Sequence, residues 1–448
     1  MDFVPHDEIS IKKMLKTIGV NKLDDLFQDI PKDLHLDKLD LPSSVSEPDL
    51  LRKLEEIANK NKLYSSSFLG AGSYYHYIPS LVDFVISRSE FYTSYTPYQA
   101  EASQGYLQAI YEYQTIIARL TQMDVANASM YDGSTALAEA ALMATIITNK
   151  KSIIILEGIH PEYLEVVKTY CWGQNILIKT ATEDNLLNKL DNDDAAVLFQ
   201  NPNFFGDVND ISQLAKNVKQ TFPNCLLIQV MTDITCLGIL KPPGETYIDI
   251  FVAEGQSFGL NPSFGGPGLG IFATKQKYLR KIPGRLVGKT KEIDGEKEGF
   301  ILTLQAREQH IRREKASSNI CTNQALCSLA ALTYILALGR TGLRKIAIQN
   351  IQKSNYVKKE LSKVPGYKIL SVKPTYNEFL VQCPNLDAFI EHCYELNLLP
   401  PLKITKYYPD MKSIALVCVT EMNSKKSIDN FIKAAKVASK NNEDGERI

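Results

Sequence analysis

Six short apolar runs recur through the middle of the chain, at Ser152–Leu156, Ile176–Lys179, Ala196–Gln200, Leu226–Met231, Ile248–Ala253 and Gly270–Ala273. Each is too short for a globular helix and apolar at successive positions, as a strand buried on both faces must be. Polar, helix-like stretches at 161–171, 183–190 and 210–221 separate several of them. Strands alternating with helices predict an α/β fold with a mainly parallel sheet covered on both sides.

The flanks follow other rules. Residues 1–62 read as an N-terminal helical segment. Ser46-Glu47-Pro48-Asp49 has capping-box spacing with proline in the first turn, and Leu50, Leu51, Leu54, Ile57 and Ala58 then share one helical face. Residues 63–338 form the predicted large domain. Its first part holds nine of the 22 tyrosines, between Tyr74 and Tyr113, and its segment 134–148 is a strong helix former. Past Gly339–Gly342 the pattern changes again. A long amphipathic helix at 343–362 is followed by strands at Lys368–Ser371 and Phe379–Gln382. A helix near 386–396, a strand near 414–419 and a last helix over about 425–440 complete a smaller C-terminal α+β domain, 339–448. Asn441–Ile448 reads as a polar tail.

At 448 residues the chain exceeds one compact core. Its 50 basic and 51 acidic residues nearly cancel, which leaves no overall electrostatic footprint for nucleic acid or an acidic membrane. No uninterrupted apolar run approaches a membrane span, and the acidic N-terminus lacks the layout of a secretory signal. The eight cysteines form no Cys-x-x-Cys pair, and no His, Cys and acid cluster has zinc spacing. The expectation is a soluble, cytoplasmic, metal-free protein with reduced thiols.

Four motifs are candidates for chemistry, each with a plain structural alternative. Asp132-Gly133-Ser134-Thr135 precedes the alanine-rich helix, as a phosphate cradle does, and equally as a simple N-cap does. Gly265-Gly266-Pro267-Gly268 permits close backbone approach, or only a turn. The stretch 305–315 holds Arg307, His310, Arg312, Arg313 and Lys315 against two acids and leads into polar Ser317–Asn323. It suits an anion or a partner chain, or a solvated face. Tyr95-Thr96-Pro97-Tyr98-Gln99-Ala100-Glu101 gathers phenols, an amide and a carboxylate in one turn, for an interface or for packing.

Taken together and in order, these phrases resemble one family, the glycine decarboxylase P protein. The stretches that carry the likeness are Ser67–Gly72, Tyr92–Gly105, Asn127–Ser129, Asn201–Gly206, Lys241–Glu245, Phe264–Gly268 and Arg307–Lys315. The resemblance spans nearly the whole chain. It is closest to the N-terminal half of the long form, and so to the alpha subunit (subunit 1) where the protein is split in two. It implies a fold-type-I pyridoxal-phosphate architecture.

Such enzymes hold their cofactor through a Schiff base on lysine, with an acid facing the pyridinium nitrogen. Registered on the Gly-Gly-Pro-Gly turn, the lysine of the family falls at or next to Gln256, and no lysine lies between Lys241 and Lys275. The acid position falls near Val230 or Met231, with Asp233 the only carboxylate close by. The resemblance therefore implies that pyridoxal phosphate is bound on a homologous beta subunit, an obligate partner, in a heterodimer that can itself pair. Glycine and the lipoylated H protein would be the other partners. Tyr95, Tyr98, Glu101 and Arg312 are the supporting candidates for that shared site, with Asn319 and Thr322 as partner-site candidates. Ser134 and Thr135 would be a vestigial phosphate cradle. A non-catalytic scaffold that stabilises the beta subunit, and an independent enzyme using another lysine, remain open.

Overall fold

The computed structural model describes residues 6–36, 38–293 and 295–445, so the first five residues lie outside it. The chain divides into two compact units, Met1–Leu63 and Tyr64–Ile448.

The first unit is helical. Helix α1 (Glu8–Ile18) starts at Asp7, whose carboxylate accepts the Ser10 N–H at 2.7 Å, and it stops at Gly19 with φ 89°. Helix α2 (Glu47–Ala58) starts at Ser46, with Pro48 in its first turn. The expected apolar face is present, but Leu50, Leu51, Leu54 and Ile57 are all exposed.

In the second unit the central sheet comprises β1 (Val125–Ala126), β2 (Ser152–Leu156), β3 (Leu177–Ala181), β4 (Asp194–Gln200), β5 (Leu226–Met231), β6 (Ile250–Glu254) and β7 (Gly270–Thr274). Their order across the sheet is β1-β7-β6-β5-β4-β2-β3. Neighbours from β3 to β6 run parallel, whereas β7 is antiparallel to both β6 and β1. The run at Gly270–Ala273 is thus a strand as expected, but not a parallel one. The 255–269 link holds no helix to carry the chain back across the sheet, so it turns and returns antiparallel.

Period-two side-chain alternation splits the core into two layers. Ile153 and Ile155 join Ile228, Val252 and Leu137 on one face, while Ile154 and Leu156 join Val197, Leu227 and Phe251 on the other. Helices α3 (Gly133–Thr148) and α4 (Pro161–Gly173) cover the first face. Helix α5 (Ala325–Leu361) and the earlier helix Gln104–Thr121 cover the second.

Helix α5 begins 18 residues before the expected 343 and is apolar over a span long enough to cross a membrane, though half of that window is buried inside the fold. It is a core helix, broken at Gly339, whose φ of 60° favours glycine. The apolar first half escaped the amphipathic pattern because it is buried nearly all round. A hairpin, β8 (Leu286–Lys291) with β9 (Glu298–Thr303), was not foreseen. Its strands are mostly half-exposed and lack a continuous apolar run. The last sheet is β10 (Lys368–Ile369), β11 (Glu378–Gln382), β12 (Leu402–Lys403) and β13 (Ile414–Cys418), ordered β10-β11-β13-β12. Helices Leu386–Glu395 and Lys425–Gly445 share its core. The last helix runs through 441–445, which corrects most of the expected polar tail; 446–448 lie outside the described residues.

Because Ile154 is fully buried between β4 and the second helical layer, Ile154→Ala is expected to cost about 2–5 kcal/mol, measured as a lower denaturation midpoint at unchanged slope.

Candidate functional site

The C-terminal ends of β5 and β6 deliver the chain's densest buried polar cluster. Gln256 lies two residues past β6 and is almost wholly buried. Its side-chain oxygen accepts the Tyr74 N–H at 2.8 Å, and its amide donates to the carbonyls of Tyr74 (3.1 Å) and Leu260 (2.5 Å). A strap of irregular backbone, roughly 68–79, therefore lies across Gln256, the residue at or next to which the lysine is expected from the sequence. Gly70 lets the strap sit this close: a Cβ there would meet Glu378 Oε1 at 2.5 Å.

Asp233, just past β5, is buried and fully engaged. His76 of the strap donates from Nε2 (3.1 Å), Asn377 from its amide (2.6 Å), and Thr235 from both its N–H (3.0 Å) and its hydroxyl (2.7 Å). The other His76 nitrogen bonds Glu421 at 2.8 Å. Burial alone would lower the His76 pKa, but the Asp233 charge and the hydrogen bonds to both carboxylates push it up to about 10. The ring is an imidazolium, so both nitrogens donate. Burial opposes ionisation of Asp233 too, and His76 with the Thr235 donors outweighs it, holding the carboxyl below its ordinary value. Val230 and Met231, the other positions considered for the acid, point into the two cores.

Beside them Glu378 is buried and accepts from the Ala71 N–H at 2.6 Å and the Tyr74 hydroxyl at 2.8 Å. Burial pushes its carboxyl up to about 7, only partly offset by those two donors.

At the start of α3, Asp132 is the cap: it accepts the Thr135 N–H at 2.8 Å and the Ser134 hydroxyl at 2.5 Å, and Thr135 Oγ accepts the Asp132 N–H at 3.2 Å. The Gly133 N–H donates to the buried Glu254 carboxylate at 2.8 Å, and Glu254 also accepts from the N–H groups of Gln256 and Leu269. A Cβ on Gly133 would meet the Glu254 nitrogen at 2.8 Å.

The remaining candidates fall in another region. Tyr95 and Glu101 are exposed on the tyrosine turn. Tyr98 accepts from Arg285 at 2.9 Å, and Arg285 also binds Asn323 (3.2 Å) and the Cys321 carbonyl (2.6 Å). Arg285 thus joins the tyrosine turn to the segment holding Asn319 and Thr322, both exposed. Arg307 is spent on the carbonyls of Ile282, Gly284 and Leu304, and Arg312 donates to Ala306 within its own turn. His310 and Arg313 are exposed. The sequence reading missed Arg285, His76, Glu378 and Glu421. A lone charge inside Ile282-Pro283-Gly284-Arg285-Leu286-Val287 was the available signal for the first; the other three are gathered only by the fold. Among the described residues no group of three or more His, Cys, Asp or Glu could hold a metal ion. All eight cysteines are free thiols, seven buried and Cys321 exposed.

Residues 1–435 match the family model described as glycine cleavage system P-protein. The chain belongs to the glycine cleavage system P-protein family. A relative from Desulforamulus reducens, a probable glycine dehydrogenase (decarboxylating) subunit 1, is 47% identical over 440 residues, covering 96% of this chain and 98% of that one. The Carboxydothermus hydrogenoformans protein of the same description is 44% identical, covering 97% and 99%. A crystal structure of glycine decarboxylase (P-protein) in inhibitor-bound form superposes with a TM-score of 0.89 at 38% identity, covering 98% of this chain and all of that one. Lactobacillus brevis glutamate decarboxylase, at 15% identity and a TM-score of 0.65, shares the fold over 92% of this chain. The fold is that of the fold-type-I pyridoxal-phosphate enzymes, and the P-protein chain is part of an enzyme.

The residues here do not fit the cofactor of that fold. The amide at 256 forms no imine. The Gly133 N–H, Ser134 hydroxyl and Thr135 N–H that a phosphate would need at the start of α3 are already bonded to Glu254 and Asp132. Asp233, the only carboxylate near in sequence to the position expected for a pyridinium partner, is paired with His76.

Glu378 gives this cluster a pH signature. Its folded-state pKa of about 7 stands above the ordinary 4.5, so the folded chain holds the extra proton and this group costs stability as pH rises through that window. Glu378→Gln keeps an acceptor and cannot ionise. The variant should gain on the native chain by up to about 1.4 kcal/mol per pH unit between those values and by nothing further above them, read by denaturant melts at each pH. A difference independent of pH would show that Glu378 is charged throughout.

Proposed function

We propose that this chain is the subunit that lacks the Schiff-base lysine in a two-subunit, glycine-decarboxylating enzyme, and that it completes an active site whose cofactor is bound by a homologous subunit carrying that lysine. The observation that supports the reading is Gln256: where the resemblance puts the Schiff-base lysine, this chain has a buried amide tied to the strap. The relatives' description as subunit 1 of a decarboxylating glycine dehydrogenase supports a partner chain.

In this reading glycine loses its carboxylate as carbon dioxide, and its aminomethyl group passes to one sulfur of the oxidised lipoyl arm of H protein, whose disulfide opens and leaves the other sulfur as a thiol. Pyridoxal phosphate on the partner supplies the electron sink. This chain supplies walls and donors. Tyr95, Tyr98 and Glu101 on the exposed turn, with Asn319 and Thr322 on the adjoining segment, face the partner's pocket or its mouth. Arg312 positions an anion there. Closure by two chains excludes water from the carbanionic centre. The pair is cytoplasmic and can itself pair into a dimer of heterodimers.

Borohydride reduction of the assembled complex is expected to leave a phosphopyridoxyl-lysine on the partner alone, mapped by peptide mass; an adduct on any lysine of this chain would overturn the reading. A scaffold is distinguished by two mild substitutions. Arg312→Lys keeps the charge, and Tyr95→Phe keeps the ring. Each is expected to slow glycine–bicarbonate carbon exchange roughly tenfold or more, the weight of one lost charge-assisted hydrogen bond, while complex mass stays the same. Normal exchange in both would make this chain a scaffold.

A further inference from the structure

Among the described residues Arg285 is the one arginine that the fold buries outright, at 4% exposure, and it has no counter-ion there. Its guanidinium meets only neutral oxygens, on Asn323, Tyr98 and Cys321, and its Nε–H has no partner. The arginine ion pairs among the described residues are those of Arg52 and Arg88, both on exposed side chains. Removing a cation from water without an opposing charge is costly, and a guanidinium cannot escape the cost by losing its proton. Arg307 shows the contrast: it too is turned inward, but all three of its nitrogens reach backbone carbonyls.

The surroundings of Arg285 are those of a receptor and not of a closed core. Tyr98 lies over the guanidinium, its ring centre 5.3 Å from the central carbon, yet it is 55% exposed. It sits on the irregular turn between two short helices, where Tyr95 and Gln99 are also exposed. The second wall, Cys321 and Thr322, is exposed as well. Asn323 is held from behind: its amide donates to the Ala128 carbonyl at 3.1 Å and to Ser129 Oγ at 3.3 Å, which fixes its oxygen toward Arg285.

We propose that Arg285, roofed by Tyr98 and flanked by Asn323, is a binding site for an oxyanion, a carboxylate or a phosphate, reached by displacement of the Tyr98 roof. A planar fork with a free Nε–H beside a bonded Nη is the edge that binds two oxygens of one anion side by side. The proposal needs only this chain, so it stands or falls separately from the shared-site reading.

The test titrates the full-length chain with inorganic phosphate and, separately, with acetate, at constant ionic strength. The Arg285 Nε–H resonance, assigned by its loss in Arg285→Lys, is expected to move downfield and saturate. The melting temperature should rise with it by about 2–4 °C at saturating anion. A stronger response to phosphate assigns a phosphate ligand, and a stronger response to acetate a carboxylate. Tyr98→Phe, on an exposed turn and expected to fold, removes the hydroxyl that competes for the Arg285 fork and should strengthen the response severalfold. Arg285→Met should abolish it. If neither anion moves the Nε–H resonance, or the melting shift persists unchanged in Arg285→Met, no oxyanion site exists at Arg285.

Discussion

The placement of everything around the sheet's C-terminal edge depends on one buried imidazolium. His76 bridges Asp233, at the end of β5, and Glu421, just past β13, with side chains that are all nearly inaccessible to water. Three elements far apart in sequence, the strap, the central sheet and the C-terminal sheet, meet in that ring. Charges so placed must satisfy one another, since each would be strongly destabilising alone. Removing the ring would leave two buried carboxylates facing each other. The sign of the linkage follows from the shift. The protonated ring contributes fully below about 6.5, and its contribution is lost as pH rises through about 10. At neutral pH the clasp is closed.

The clasp also decides what the strap shows to solvent. In extended backbone successive side chains point to opposite sides. Tyr74 and His76 go inward, to Glu378, Thr232 and Asp233, and Tyr75 and Tyr77 go outward, each about half exposed. The same alternation that fills the interior therefore presents phenol rings outside. Further along lie exposed Phe84, Tyr92, Tyr95 and Tyr98. A tyrosine-rich surface held by a buried ionic clasp is pre-organised, and pre-organisation lowers the ordering cost of any association that uses it.

How far this was legible in the sequence depends on range. The strand runs at 152–156 and 226–231 were read to the residue, because burial on both faces leaves an unbroken apolar signature. The hairpin at 286–303 was not, because its strands are mixed in character and partly exposed. The first half of α5 was missed for the opposite reason: it is apolar all round, so the amphipathic pattern appears only after Gly339. The register with the glycine turn drew attention to Gln256, and the fold places that side chain in a buried polar cluster. His76, Glu378 and Glu421 were invisible, since nothing local ties position 76 to 233 or 421; only the closed fold brings them within 3.1 Å. Asp132–Thr135 reads as cradle or cap, and in the fold these groups are engaged as a cap.

A fold-type-I chain without its lysine still has the fold's polar anchors, and these do not stay buried unpaired without cost. Here each finds a partner from the chain itself. The Gly133 N–H at the start of α3 takes the Glu254 carboxylate, and the Asp233 carboxylate past β5 takes the His76 imidazolium. The amide at 256 takes the strap's backbone. These substitutions reinforce one another, because Glu254 also accepts the Gln256 N–H and the strap that Gln256 holds is the one that carries His76. A lysine at position 256 would therefore break the strap's anchor while leaving Gly133 bonded to Glu254 and Asp233 to His76.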